Sequence, residues 1–343
     1  MRLADKVQQE LFSTITKVEK NKQWKSSLAA ELNWGRSTMY KKINGDIKLS
    51  LDEFFHLCEK YQLDYNHLTR PMGQDVSFQV PFLGETRVDG SVYLDYLIRD
   101  LRQADALTDP KLYISALEIP LVYDYNFVEI PAFKNYMNGI SNWYTDLHKI
   151  EKFSLSRHLP STERQEQYAT AIEQYCELHT IEFWNPHQLT ITLQQIQYCM
   201  QGGLYAQPED ALAILDALTC FANYIEDMAL HGRKFRYREG KKPFYKAQVE
   251  MYYNEIAHSN SFALLDSVEK QIAFITLDTP NYMVSTDEKL TSYVKVWAQK
   301  LQQTSLPVSG RAHRNRLEFV HGLHAKIDRQ RRKVGEWLLE LRK

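Results

Sequence analysis

Apolar residues recur near the start of the chain at intervals of three and four: Leu3, Val7, Leu11, Ile15 and Val18. That spacing lines one side of an α-helix. Asn21–Gln23 interrupts the stripe, and Trp24, Leu28, Ala29 and Leu32 predict a short second helix. Asn33-Trp34-Gly35 is a tight break. Arg36–Ile43 predicts a third helix with Met39 and Ile43 inward. Asn44-Gly45 closes it, because both residues tolerate the left-handed backbone at a helix end. Ser50-Leu51-Asp52-Glu53 has the form of a capping box and opens a fourth helix with Phe54, Phe55 and Cys58 on its apolar side. A short fifth helix is expected near Asp64–Leu68.

Pro71–Asp75 reads as a linker, and residues 76–90 contain a short alternating run that suits a strand or an extended arm. Helical spacing then dominates. It is carried by Val92, Leu94, Leu97 and Leu101, and by Tyr168, Ile172 and Tyr175 after Ser161-Thr162-Glu163. Leu193, Ile196 and Met200 continue it after Asn185-Pro186, and Leu212 to Met228 after Gln207-Pro208-Glu209. From 247 the pattern turns to β-formers. VEMYYNEIA (249–257), Phe262–Leu265 and IAFITL (272–277), joined by short polar links, predict a small antiparallel meander. Ser285-Thr286-Asp287-Glu288 is a second capping box. A last helix over about 312–342 places Val320, Ile327, Val334, Leu338 and Leu341 near heptad spacing, a face suited to docking in a dimer. The expected fold is therefore mainly α. It has a five-helix N-terminal domain over 1–70, a linker or arm over 71–90 and a helical body over 91–246 for dimerisation or sensing. An α+β region over 247–343 ends in a basic helix.

Composition narrows the class. With 44% hydrophobic and 25% charged residues among 343, the chain is an ordinary globular one, of two or three domains at about 100–200 residues each. The net charge of −1 hides an uneven distribution. Residues 1–70 carry 12 basic and 9 acidic side chains, and residues 310–343 carry 10 and 4, so two basic ends flank an acidic body. Basic ends of this kind suit a polyanionic partner. Cys58, Cys176, Cys199 and Cys220 stand apart with no Cys-x-x-Cys pair, which argues against a zinc ribbon or a disulfide framework and for a reducing, cytoplasmic setting. No signal-peptide core and no membrane span are expected.

The stretch LAAELNWGRSTMYKKINGDIKLSLDEFFHLCEKYQLDYNHL resembles the helix-turn-helix of lambda-repressor-like (Cro-like, XRE-type) transcriptional regulators, over roughly residues 3–70. Ala29 stands where two helices cross closely, Asn33 replaces the usual turn glycine, and Trp34 departs from the smaller aliphatic residue of the pattern. The resemblance implies that the third helix enters the major groove of double-stranded DNA. Carried over along the motif, it puts Arg36, Ser37 and Lys41 at base-facing positions with Tyr40 and Lys42 flanking. It also places Lys25, Asn44 and Lys48 against phosphates. Arg36 and Lys41 have donors that suit guanine acceptors. Residues 110–325 also resemble a group of predicted bacterial regulators, on ALEIPLVYDYNFVEIPAFK, ITLDTPNYMVSTDEKL and SGRAHRNRLEFV; no residue role follows from that likeness. The expected function is a sequence-specific regulator acting as a homodimer, with a peptide or small-molecule effector as a further partner. The rival reading is a helical protein- or peptide-binding scaffold with an accessory DNA-binding domain.

Enzyme signatures are absent from the sequence. There is no nucleophile elbow, phosphate-binding glycine loop or dinucleotide fingerprint, so no catalytic residue and no cofactor are assigned. His321 and His324 have a metal-compatible spacing without a third ligand, Cys176 and His179 lie on a helix that buries the thiol, and Glu209-Asp210 suits a helix start. The aromatic segment 113–144 reads as central core first and as a ligand pocket or dimer contact second. RKFRYREGKK (233–242) reads as an exposed basic loop, with phosphate contact as the alternative.

Overall fold

The structure, a computed structural model, describes residues 3–19, 23–63, 68, 76–81, 90–143, 151–237, 243–256, 261–278, 281–341 and 343. The chain divides into two units, residues 1–77 and 78–343. Most of the expected helix near Asp64–Leu68, the linker at 71–75 and the arm beyond 81 lie outside the described residues.

The first unit holds α1 (Leu3–Val18), α2 (Trp24–Glu31), α3 (Arg36–Asn44) and α4 (Leu51–Lys60). Its core takes in much of what the apolar spacing implies, with Leu11, Ile15, Leu28, Met39, Phe54 and Cys58 buried, and adds Leu57; Val18 and Phe55, expected on the apolar faces, are exposed. At full burial each Leu, Ile, Met or Phe side chain of that core contributes about 1.5–3 kcal/mol. Asn33 takes a positive φ of 52°, and the Trp34 amide returns to the Ala29 carbonyl at 2.8 Å, so the chain turns sharply from α2 into α3. Gly45, at φ 88°, ends α3 in the left-handed conformation with its amide on the Lys41 and Lys42 carbonyls. The Ser50–Glu53 capping box forms in both directions.

The second unit is built on an eight-stranded mixed sheet. Its elements are α5 (Gly90–Asp105), β1 (Lys111–Ser115), α6 (Leu121–Asp124), α7 (Glu129–Asn138), a π-helical turn (Gly139–Trp143), α8 (Leu155–His158), α9 (Thr162–Glu177) and β2 (His179–Trp184). There follow α10 (Thr190–Gln201), α11 (Asp210–His231), β3 (Arg233–Phe235), β4 (Phe244–Tyr253), β5 (Phe262–Asp266), β6 (Gln271–Asp278) and β7 (Asn281–Ser285). The unit ends with α12 (Glu288–Thr304), β8 (Leu306–Pro307) and α13 (His313–Leu341). The strand order is β3-β4-β2-β1-β5-β6-β7, with β8 on β4. β4, β2 and β1 run parallel, and β1-β5-β6-β7 is antiparallel.

This sheet overturns the expectation of a mainly α chain with a small meander. β5, β6 and β7 do form an antiparallel run, but β1 and β2 from the presumed helical body sit in the middle of the same sheet, and β4 pairs with β2 instead of with β5. The physical reason is burial on both faces. Ile181 and Phe183 of β2 meet α12 through a core shared with Tyr113, Leu264 and Val294. Thr180, Glu182 and Trp184 point to the other face, under the main helical layer. A strand covered on both sides loses the alternation that marks a half-exposed one.

The C-terminal helix α13 turns its near-heptad face inward except at Leu341, which is exposed. Val320, Leu323, Ile327, Val334 and Leu338 are buried in the main core, and α13 lies along α11 and α10. Much of its positive charge is also spent within the chain: Arg316 donates to the Val308 and Gly310 carbonyls, Lys326 to Pro186 and Gln188, and Arg331 to Asp216.

Candidate functional site

α3 presents two faces. Met39, Lys42 and Ile43, spaced three and four apart, face the core, with Met39 and Lys42 buried and Ile43 half-buried. Arg36, Ser37, Tyr40, Lys41 and Asn44 fall on the opposite face and are all exposed. Lys25, half-buried on α2, holds its ammonium 5.5 Å from the Tyr40 ring centre, so it joins this surface from the neighbouring helix. Lys48 is also exposed, with its ammonium on Asp5 at 2.7 Å and on the Gly45 carbonyl at 2.8 Å.

Lys42 is placed differently from the flanking role that the motif implies. Its Nζ donates to Glu53 Oε2 at 2.7 Å and to the Lys48 carbonyl at 3.1 Å, and it stands 4.9 Å from the Trp34 ring centre. Trp34 Nε1 donates to the other Glu53 oxygen at 2.7 Å. One carboxylate therefore ties the turn, α3 and the start of α4 together. Burial pushes the Glu53 carboxyl up, but bonds from Lys42, Ser50 and Trp34 outweigh it and hold it below the usual range. The unusual Trp34 is thus joined to α3 through Lys42 and to α4 through Glu53.

In the second unit, a cavity of about 480 Å³ opens between α5, the α7–π-helix segment, α10 and the β1-β5-β6 part of the sheet. Leu97, Leu101, Leu112, Ile114, Leu265 and Phe274 supply apolar lining, with Asp100, Thr276 and Tyr282 among the polar residues from the same helix and the sheet. Further polar groups are Lys134, Asn138 and Ser141 from one helical face, Thr192 and Gln195 from α10, and Glu118 from the loop after β1. Glu118 accepts from the Ile191 amide and from Thr192 Oγ1, both at 2.9 Å. Burial raises its carboxyl above the usual range, against the pull of Lys134 and these bonds.

Behind the wall, Lys134 Nζ lies 2.9 Å from Asp124 Oδ2. Asp124 is fully buried, and burial raises its carboxyl to about 6, opposed by Lys134 and assisted by Glu118. A folded-state value raised from 3.8 means that stability linked to its proton is present below that value and lost as the pH rises through about 6. Asp124→Asn carries no such proton. It should therefore gain on the wild type by about 2 kcal/mol between pH 4 and pH 7. Urea unfolding of both proteins at the two pH values measures this; identical pH dependence would contradict the assignment.

Other expectations find their places. The aromatics of segment 113–144 mostly fill the core, while Ile114, Val122 and Lys134 of the same segment line the cavity. The basic run is not the exposed loop expected over its described part: Arg233–Phe235 form β3, with Lys234 and Phe235 buried, and Arg236 pairs with Glu173 at 2.8 Å; positions 238–242 lie outside the described residues. Cys176 is buried, which pushes its thiol up to about 12, away from nucleophilic use. Asp210 accepts from the Leu155 amide at 2.9 Å. Among the described residues no group of three His, Cys, Asp or Glu side chains is placed to hold a metal. No helix is long and apolar enough to cross a membrane among them. Glu118, Thr192 and Gln195 carry no sequence signal as a group, since β1, which positions the Glu118 loop beside α10, is not expected from the sequence.

No family model, curated protein or solved structure matches the chain.

Proposed function

We propose that the chain is a sequence-specific DNA-binding regulator that reads its operator with α3. The observation that carries this reading is the division of α3 into an anchored face and an exposed polar face. Met39, Lys42 and Ile43 hold the helix, and Arg36, Ser37, Tyr40, Lys41 and Asn44 are left outward at its start, centre and end. A helix held in this way after a tight turn matches the docking geometry in which N-terminal residues of a recognition helix meet base edges. Lys25, Asn44 and Lys48 are the phosphate-contacting set. Lys42 is left out, because its ammonium is engaged inside the domain. One such module buries little surface on DNA, so the proposal includes a homodimer on two half-sites about one helical turn apart.

The test is binding of the full chain to a labelled duplex over a range of salt concentrations. Affinity should fall linearly on a logarithmic plot, and Lys25→Ala should reduce the slope by about one. Binding that does not change with salt, or no binding at low salt, would contradict the proposal.

A further inference from the structure

We infer that the cavity of the second unit is a binding site for a small amphipathic amine, with its ammonium on Glu118 and its apolar body along β1 and α5. The space is of ligand size: about 480 Å³ falls within the range of small-molecule pockets, which are mostly apolar with a few convergent polar groups. The lining is of that kind, with Leu97, Leu101, Leu112 and Ile114 from α5 and β1, and Glu118, Asn138, Ser141 and Gln195 among its polar groups.

The choice of an amine rests on charge. Three carboxylates lie at or just behind the wall. Asp100 has both oxygens engaged, one by Arg99 at 2.9 Å and one by the Tyr282 hydroxyl at 2.9 Å. Asp124 has Lys134 at 2.9 Å. Glu118 alone has no cationic partner at ion-pair distance among the described residues; its bonds come from the Ile191 and Ile119 amides and the Thr192 hydroxyl. A carboxylate offers about four acceptor positions, so one remains for a ligand. Glu118 lies deep in the protein yet keeps accessible surface, because it faces the cavity. Among the described residues the ammonium on the wall, that of Lys134, is already matched by Asp124, and that of Lys326 feels the charge of Glu118 but donates to the Pro186 and Gln188 carbonyls. A ligand bringing an ammonium would give Glu118 a direct ion-pair partner, whereas a carboxylate would add a further negative charge to a low-dielectric space.

The experiment is isothermal titration of the full chain at pH 7.5 with matched probes: hexylamine, octylamine and 2-phenylethylamine against hexanoate, octanoate and 3-phenylpropanoate, with hexanol as the neutral member. At least one amine should bind about tenfold or more tighter than its carboxylate partner, the size expected for a charge-assisted bond inside a cavity. Glu118→Gln should remove that preference while leaving hexanol unchanged. Ala263→Leu, which extends a side chain from β5 into the cavity, should weaken every probe, and it keeps the inference testable even if Glu118→Gln fails to fold. No binding of any amine at millimolar concentration, carboxylates binding as well as amines, or amine binding untouched by Ala263→Leu would each overturn the inference. Amine binding here and DNA binding at α3 stand or fall separately.

Discussion

Arg36→Ala is expected to lower affinity for the preferred duplex by about 1–3 kcal/mol, roughly five- to 150-fold, while changing affinity for a random duplex far less. The size follows from what arginine does in a groove: two parallel donors matched to one guanine edge, lost together on truncation. Arg36 is the first residue of α3, exposed, and in no ion pair among the described residues. Its removal should therefore leave folding within about 0.5 kcal/mol of the wild type, as for other open surface positions. A binding loss with unchanged stability is the signature to look for, in anisotropy titrations beside urea unfolding. A loss equal for preferred and random duplexes would reduce Arg36 to a phosphate contact.

Glu182→Ala should cost the second unit about 4 kcal/mol or more. Glu182 lies in the middle of the sheet, almost completely buried on the side of the main core. It accepts from the Tyr123 hydroxyl at 2.5 Å, the Tyr175 hydroxyl at 2.7 Å, Thr180 Oγ1 at 2.9 Å and Trp184 Nε1 at 3.2 Å. Alanine strands four buried donors. It also removes the main counter-charge of Lys234, a fully buried lysine whose ammonium is pushed down to about 8 by burial despite Glu182. Glu182→Gln keeps an acceptor for most of the donors and should cost less than half as much. Urea midpoints for the second transition measure both, and a cost below about 1 kcal/mol for the alanine variant would contradict this account of the network.

The first unit was largely legible in the sequence, and the second was not. In the first, each helix carries its own apolar stripe and its own stop: Asn33 and Gly45 both take the positive φ that their types suggest, and Ser50 with Glu53 forms the capping box. Even Lys42 was readable in principle. It stands three residues after Met39 and one before Ile43, on the inward side of α3, but its charge made it look like a surface residue. In the second unit the difficulty is long-range pairing. KLYIS is five residues long, and HTIEFW contains a glutamate in the middle of a strand buried on both sides. Neither has the alternation of an exposed strand, and the glutamate looks out of place until Tyr123 and Tyr175 arrive from other elements. The cavity follows from that sheet, so Glu118, Lys134 and Thr192 were invisible as a group.

The helix starts show the same limit on a smaller scale. Asn185-Pro186 marks a turn, and α10 begins at Thr190, after Leu189 has taken a φ of 70°. Ser285 ends β7, and Asp287 caps α12 by accepting from the Lys289 and Leu290 amides. Neither pattern acts as the sequence suggests: Asn185-Pro186 opens a turn instead of a helix, and Asp287, not Ser285, is the cap, because the preceding turn and strand release the chain later.

The central claim, that α3 reads sequence, is tested most directly by selecting bound duplexes from a random library with the full wild-type chain and with Arg36→Ala. The account predicts a motif with two-fold symmetry and half-sites about one helical turn apart, from which the variant loses a defined base preference in each half. Recovery of no motif by the wild type, or of the same motif by Arg36→Ala, would contradict it.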